Sequence, residues 1–219
     1  MADIVAETER LVLRRELPGD LAVWLEHMNT PKVMKMVGGV QPPEAVAESF
    51  ARMAAAAEGL LSFCFLALKA EGTLIGKCGL SRIETAVAPD ELRGAVQAGW
   101  TLRADCWGRG YAREAAEAAL VLGFERLGLS RIYAQTSQRN LASWRLMERL
   151  GMVRRADLDY PDADYPPEDN PTMVYQLDAA AWRARISCER ARADARSSRH
   201  VDWLRGSVGQ CFKHALSAL

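Results

Sequence analysis

The fold is decided by the stretch Cys106-Trp-Gly-Arg-Gly-Tyr-Ala-Arg-Glu-Ala115. The apolar run before it, residues 95–102, predicts a strand, and the alanine-rich run after it, residues 110–127, predicts a helix. Gly108 and Gly110 therefore lie at a strand-to-helix turn. The first amides of a helix have no intrahelical acceptor and carry the positive end of the helix dipole, and glycine places no Cβ in front of them. The turn is a candidate site for a phosphate or pyrophosphate group.

Two well-known phosphate loops do not fit these residues. A P-loop needs Gly-Lys followed by Ser or Thr, but Gly110 is followed by Tyr111 and Ala112. A dinucleotide-binding Gly-x-Gly-x-x-Gly that begins at Gly108 would need its third glycine at Arg113. An ordinary tight turn before a packed helix remains the alternative to a phosphate site.

The composition is that of an ordinary globular protein. With 219 residues and 49% apolar residues, the chain is long enough for one well-buried core and a small appendage. A formal net charge of zero gives no overall attraction to nucleic acid or to an anionic membrane. The N-terminus has early acidic residues and no apolar segment, and no stretch approaches a membrane span, so the sequence predicts a cytoplasmic protein without a signal peptide.

Cysteine and histidine are too scattered to support several kinds of site. No Cys-x-x-Cys occurs among the five cysteines, at positions 64, 78, 106, 188 and 211, which argues against a disulfide framework and a zinc site. With three histidines in the whole chain, a Ser-His or Cys-His nucleophile has little support. The sequence predicts reduced cysteines and no metal.

The remaining elements follow from hydrophobic periodicity and from turn residues. Asn140 is a natural N-cap, and Gly151 is a natural end for the helix that it begins. Pro18 opens the first helix, and Pro42-Pro43 precedes another. Strands are predicted at residues 10–14, 62–69, 73–83, 95–102, 130–136, 152–153 and 172–177.

Two segments stand apart from this pattern. Residues 157–171 hold six acidic residues and no basic one, for which a solvated proline-rich loop is the simplest interpretation. From Ala179 the chain becomes rich in arginine, but its aromatic residues are sparse, which disfavours a nucleic-acid surface and favours a solvated appendage. The sequence therefore predicts one main domain over residues 1–178 and a helical or partly disordered appendage over residues 179–219.

The element order now coincides with a set of motifs that resembles the GNAT superfamily of acetyl-CoA-dependent N-acetyltransferases. The branch that acetylates the N-termini of ribosomal proteins is the most similar, and the likeness covers roughly residues 8–178. The motifs that carry it are Thr8-Glu-Arg-Leu-Val-Leu-Arg14, Leu74-Ile-Gly-Lys-Cys-Gly79, Trp107-Gly-Arg-Gly-Tyr-Ala112, Arg113-Glu-Ala115, Asn140-Leu-Ala-Ser143 and Glu148-Arg-Leu-Gly151.

The resemblance implies a fold and a set of cofactor-binding residues. The fold is a mixed α/β (α+β) structure, with a mostly antiparallel sheet of six or seven strands flanked by helices and with splayed fourth and fifth strands. The expected site residues are Thr101 and Leu102 for pantetheine, the amide near Trp100 for the thioester carbonyl, the amides of Trp107, Gly108, Arg109, Gly110, Tyr111 and Ala112 for the pyrophosphate, Asn140 for the pantetheine arm and Ser143 near the sulfur.

The chain departs from the wider family at the acid and base positions. The tyrosine that protonates the leaving thiolate in many relatives is replaced by Met147, which leaves Ser143 as a substitute candidate. The usual carboxylate base is replaced by Gln97, so that Glu84 and Asp105 become the candidate bases. Asn140 could instead be only a helix cap, and Ser143 only an exposed hydroxyl.

The predicted function is transfer of the acetyl group of acetyl-CoA directly to a primary amine, because no activated cysteine or serine is visible. A site without a strong base suits a weakly basic amine, such as a peptide N-terminal α-amine or a similar small amine. A non-catalytic acyl-CoA-binding module of the same fold is the alternative. The partners expected are acetyl-CoA and an amine, with no membrane, and the oligomeric state stays open, a homodimer included.

Overall fold

A single mixed sheet forms the centre of the computed structural model, which describes residues 3–55, 60–189 and 191. Its eight strands lie in the order β1-β2-β3-β4-β5-β6-β8-β7, and every pairing is antiparallel except that of β5 with β6. The strands are β1 Ile4–Glu7, β2 Leu11–Arg14, β3 Phe63–Leu68, β4 Leu74–Arg82, β5 Val96–Leu102, β6 Arg131–Ser137, β7 Val153–Arg154 and β8 Thr172–Asp178. The predicted fold class is confirmed.

The eighth strand is the one difference from the predicted count of six or seven. Strand β1 lies before the first predicted strand and pairs antiparallel with β2, with an irregularity between Ile4 and Ala6. It is a short edge strand whose Ile4 is 49% exposed. Such a strand is held through backbone hydrogen bonds more than through a buried face, so it leaves a weak hydrophobic pattern in the sequence.

Five α-helices within the described part of residues 3–178 flank the sheet. Three of them, α1, α2 and α3, follow β2 in sequence. The rings of Trp24 in α1, Phe50 in α3 and Phe65 in β3 contact one another, with centroids 5.0–6.4 Å apart. This aromatic cluster joins the helices to one face of the sheet. The helices are α1 Asp20–His27, α2 Pro31–Met34, α3 Pro43–Ala55, α4 Tyr111–Val121 and α5 Leu141–Arg149.

Small residues let α4 lie close to the sheet. Ala115, Ala116 and Ala119 are fully buried. The helix continues beyond Val121 as a π-turn, Leu122–Arg126, within which a Cβ on Gly123 would lie 2.5 Å from Cδ1 of Ile132 in β6. The predicted helix over residues 110–127 is therefore present, and its last turn is wider than an α-helical turn.

Strands β5 and β6 pair at one point and then separate. In the described residues their ladder consists of the pair Gln97 and Tyr133 alone. The rest of β5 keeps its partner β4, and the rest of β6 keeps β8. This is the splay predicted between the fourth and fifth strands, which become β5 and β6 once β1 is counted.

The chain divides into two compact units, Met1–Ala179 and Ala180–Leu219. Residues 179–189 are helical. The predictions for the rest of the arginine-rich segment lie outside the described residues, and the predicted boundary after residue 178 stays a prediction. None of the helices described here has the length and the apolar character needed to cross a membrane.

Candidate functional site

A cavity of about 600 Å³ opens where β5 and β6 separate. Five of the residues that the sequence predicts for the site line this cavity: Glu84, Trp100, Thr101, Asn140 and Ser143. Leu102 and the six residues from Trp107 to Ala112 do not line it. The predicted site is thus divided into a cavity and a separate glycine turn.

The glycine turn, residues 107–112, has the backbone that its two glycines allow. Gly108 has φ +74° and Gly110 has φ +83°, both in the left-handed region that favours glycine. Across the described structure, no acceptor receives a hydrogen bond from the backbone N–H groups of residues 108–112. These unpaired amides lie at the N-terminus of α4 and are available to an anion.

A hydrogen bond connects the glycine turn to β5, the strand that lines the cavity. The indole Nε1 of Trp107 donates to the backbone oxygen of Leu102 at 2.8 Å. Leu102 is the last residue of β5, whose preceding residues Gln97 to Thr101 line the cavity. An extended ligand with an anionic end at the turn could therefore continue along β5 into the cavity.

Arg10 stabilises the glycine turn through hydrogen bonds, a role that the sequence analysis did not predict. Its Nη1 donates to the carbonyl oxygen of Arg109 at 3.0 Å, and its Nε donates to Oε2 of Glu114 at 2.7 Å. Its guanidinium also lies 4.6 Å from the centre of the Tyr111 ring. The signal available was that Arg10 and Glu114 both belong to motifs that carry the resemblance.

The backbone of Trp100 presents its amide to the cavity side of β5. The amide of Arg103 donates to the oxygen of Ile75 in β4 at 2.8 Å. Backbone groups alternate along a strand, so that the amide of Trp100 points away from β4, toward β6. Because no pairing with β6 occurs beyond Gln97 in the described chain, this amide has no strand partner.

The N-terminus of α5 brings Asn140 and Ser143 to the cavity. The Oδ1 of Asn140 accepts a hydrogen bond from the amide of Ser143 at 3.4 Å, so Asn140 does cap the helix. Both residues also line the cavity, and Ser143 is half-buried. Capping therefore does not withdraw Asn140 from the cavity.

The candidate bases differ in their positions. Glu84 is exposed and lies at the cavity wall. Asp105 is outside the cavity lining and forms two hydrogen bonds with the Arg103 guanidinium, at 3.1 and 2.8 Å. Those bonds lower the pKa of Asp105. Only Glu84 of the two is placed to meet a ligand in the cavity.

The acidic segment 157–171 forms part of the cavity wall. Asp162 and Asp169 are 8% and 7% exposed, so a fully solvated loop does not describe them. Oδ1 of Asp169 accepts a hydrogen bond from Ser137 Oγ at 3.1 Å. The side chain of Asn170 fixes the loop by accepting from the amide of Asp162 at 2.7 Å. Asp169 also pairs with Arg139 at 3.5 Å, so the negative charge on this side of the cavity comes mainly from Asp162 and Asp164.

Two tyrosines of the same segment line the cavity and were missed by sequence reasoning. The hydroxyl of Tyr160 donates to Oε1 of Gln135 at 2.5 Å. Burial and the nearby Asp162 raise the pKa of Tyr160 to about 12 and also raise the pKa of Tyr165. Both hydroxyls therefore keep their protons at neutral pH. Their position inside an acidic loop was the available signal, but that position alone did not single them out.

Two residues bear on a covalent mechanism. Met147 is buried and lines the cavity, so no hydroxyl occupies that helical position. Burial, and after it the charge of Asp105, raises the pKa of the Cys106 thiol. A thiol of that kind is a poor nucleophile. In the described residues no three His, Cys, Asp or Glu side chains are grouped as metal ligands would be.

Comparisons with known proteins agree with this architecture. The family described as "Acetyltransferase (GNAT) domain" matches residues 10–153. The uncharacterized N-acetyltransferase p20 of Bacillus licheniformis is 29% identical over 161 residues, which cover 71% of this chain and 86% of that protein. A solved acetyltransferase from Agrobacterium tumefaciens is 27% identical, with a TM-score of 0.62 over 78% of this chain and 92% of that one.

A more distant structure shares the fold alone. The ribosomal L7/L12 alpha-N-protein acetyltransferase RimL, solved in complex with coenzyme A, is 14% identical, with a TM-score of 0.63 over 80% of this chain and 98% of that one. The fold and these matches define an N-acetyltransferase. The chain belongs to the GNAT acetyltransferase family, whose enzymes use acetyl-CoA.

Proposed function

We propose that this enzyme transfers the acetyl group of acetyl-CoA directly to a primary amine, either a peptide or protein N-terminal α-amine or a similar small amine. The observation that carries the proposal is the cavity between β5 and β6, which has the open amide of Trp100 on one side and the carboxylates of residues 162–169 on another. An acetyl donor and a cationic amine could meet there.

The residues fit acetyl-CoA as follows. The amides of residues 107–112 would hold the pyrophosphate, and Gly108 supports this role because no heavy atom lies within 4 Å of a Cβ built on it. The backbone of Thr101 and Leu102 would hold pantetheine, with Asn140 across the cavity. When bound, acetyl-CoA supplies the activated acetyl group. The amide of Trp100 would donate a hydrogen bond to its carbonyl oxygen.

The proton transfers would use cavity residues. Glu84 would accept the proton of the attacking amine, directly or through water, because this residue lines the cavity and its carboxylate has no cationic partner within the described structure. The Ser143 hydroxyl would donate a proton to the leaving thiolate. Burial raises the pKa of the Cys106 thiol above its ordinary value, which supports direct transfer without an acetyl-enzyme.

The proposed acceptor class rests on the usual base position, which Gln97 occupies in place of a carboxylate. An α-amine with a pKa of ~8 is about two-hundredfold more often neutral at pH 7 than a lysine side chain with a pKa of ~10.4. The carboxylates of Asp162 and Asp164 would attract the cationic form of the amine to the cavity. The ribosomal-protein branch remains part of this proposal. It is supported by the motifs at residues 8–14 and 107–112.

The test is thiol release from acetyl-CoA against N-terminal peptides, matched lysine-ε peptides, amino acids, polyamines and aminoglycosides. Glu84→Gln should lower kcat by about 10- to 100-fold at neutral pH, and Ser143→Ala should also lower kcat. Asn140→Ala should raise KM for acetyl-CoA. Glu125→Gln, which removes an exposed carboxylate on the α4 π-turn, is the control. Faster acetylation of lysine-ε peptides than of their α-amino counterparts would contradict the acceptor class.

A further inference from the structure

Lys77 is a charged residue of the cavity to which the proposed reaction gives no role. On β4 it lies opposite Phe65 of β3 and opposite Thr101 of β5. Directly opposed residues of an antiparallel pair point to the same face of a sheet. The Lys77 side chain therefore lies on the face that carries Thr101, and it lines the main cavity.

The Lys77 ammonium has aromatic neighbours and no anion. Its Nζ lies 5.1 Å from the ring centre of Trp24 and 5.2 Å from that of Phe63. Across residues 3–55, 60–189 and 191, it forms no ion pair and donates no hydrogen bond to a protein acceptor. Burial lowers its pKa, as expected for an ammonium that has lost water without gaining a counterion. Such a group is stabilised by an anionic ligand.

Among the described residues, the other charged side chains that line the main cavity are acidic and belong to Glu84, Asp162, Asp164 and Asp169. Asp169 is paired with Arg139, whose Nη1 lies 3.5 Å from Oδ1 of Asp169. None of these acidic side chains is within ion-pair distance of Lys77. The cavity therefore has acidic groups that suit an amine and a separate cation that suits a carboxylate. A ligand with both groups would match this distribution of charge.

A second cavity, of about 280 Å³, adjoins the first at Lys77 and Gln41, which line both. Its apolar wall includes Trp24, Met34, Val46, Phe50 and Met53. Arg52 also lines it, but this arginine is exposed and its Nη1 lies 3.9 Å from Oε2 of Glu48. An apolar group attached near the carboxylate of a ligand could enter it. The two cavities together would thus accommodate a ligand that has an amine, a carboxylate and an apolar group.

We propose that Lys77 binds a carboxylate of the amine acceptor, so that the preferred acceptor is an α-amine that also bears a carboxylate. This inference depends on the proposed function. The carboxylate could be the α-carboxylate of a free apolar amino acid or an acidic side chain at the start of a peptide. Both offer the same chemistry to Lys77, and matched amides distinguish them.

The experiment compares two acceptor pairs: leucine with leucinamide, and glutamyl-alanine amide with glutaminyl-alanine amide. Rates are compared per neutral amine, because the α-carboxylate makes the α-amine of leucine more basic than that of leucinamide. On this scale, the carboxylate member of at least one pair should have, in the wild type, a kcat/KM about tenfold higher, mainly through KM. Lys77→Met should bring that ratio close to one, and Lys77→Arg should keep part of it. Lys69→Met, which removes a surface lysine paired with Glu7, should leave it unchanged. Equal use of both members in both pairs would overturn the inference.

A binding measurement keeps the inference separate from catalysis. N-acetyl-leucine should raise the thermal unfolding midpoint of the wild type more than N-acetyl-leucinamide does, or N-acetyl-glutamyl-alanine amide more than its glutaminyl counterpart. The difference should vanish in Lys77→Met. Carboxylate-selective binding without acetyl transfer to any amine would overturn the proposed function alone. Acetyl transfer with no carboxylate selectivity in either assay would overturn the role of Lys77 alone.

Discussion

Trp107 donates its indole N–H to the backbone oxygen of Leu102 at 2.8 Å, which fastens the start of the glycine turn to the end of β5. The two proposed halves of the acetyl-CoA site are joined by this bond. Trp107→Phe keeps an aromatic ring but removes the donor. We expect KM for acetyl-CoA to rise about fivefold, corresponding to the loss of about 1 kcal/mol, with little change in kcat. Steady-state kinetics with varied acetyl-CoA tests this, and an unchanged KM would contradict it.

The two ends of the α4 region offer a matched pair of glycines. Gly108 has φ +74° and Gly128 has φ +64°, and no heavy atom lies within 4 Å of a Cβ at either position. Replacement by alanine should therefore lower the free energy of unfolding by a similar amount at either position, about 1–2 kcal/mol. Only Gly108→Ala adds a methyl group beside the open amides, so only this variant should bind acetyl-CoA more weakly. Denaturant unfolding and calorimetric titration test the pair, and equal affinities would oppose a phosphate role for the turn.

The fold could be predicted to a large extent because its signals are local. The turn glycines, the N-cap Asn140 and the apolar stripes of the helices each act within a few residues of sequence. The edge strand β1 was missed because its pairing with β2 depends on backbone groups, and Ile4 is half exposed. The π-turn at the end of α4 was missed because the contact of Gly123 with Ile132 is made only after folding.

The candidate site could be predicted only where a motif marks it. The glycine turn, Asn140 and Ser143 belong to contiguous motifs, and the structure places the last two at one cavity. Lys77 belongs to one of those motifs, but its motif does not show what surrounds the ammonium. Its neighbours there are the rings of Trp24 and Phe63, which lie elsewhere in the sequence. Arg10 and Tyr160 likewise owe their positions to long-range contacts. No sequence periodicity reports such contacts.

A buried ion pair near the start of α1 should dominate local stability. Arg14 and Asp20 are 6% and 5% exposed and are joined by two hydrogen bonds, at 2.6 and 2.9 Å. Asp20→Ala would leave the guanidinium buried without its anion, at a cost of about 3–5 kcal/mol. Asp178→Ala, which removes one of the two acidic partners of Arg131 at the surface, should cost less than about 1 kcal/mol. Denaturant unfolding compares the variants, and similar losses would refute the distinction.

Glu114 should make the glycine-turn region sensitive to acid. Burial alone would raise the pKa of this carboxyl, but hydrogen bonds from Thr8 and Arg10 outweigh burial and lower the pKa below 4.5. Its contribution to stability is therefore present above pH 4.5 and is lost as the pH falls through the lower folded-state pKa. Glu114→Gln should reduce the free energy of unfolding by about 1–2 kcal/mol at pH 7, and the gap from wild type should narrow below pH 4.5. Glu125→Gln serves as the exposed control in urea unfolding at both pH values. A gap that stays constant down to pH 3 would show that these bonds do not favour the charged carboxylate.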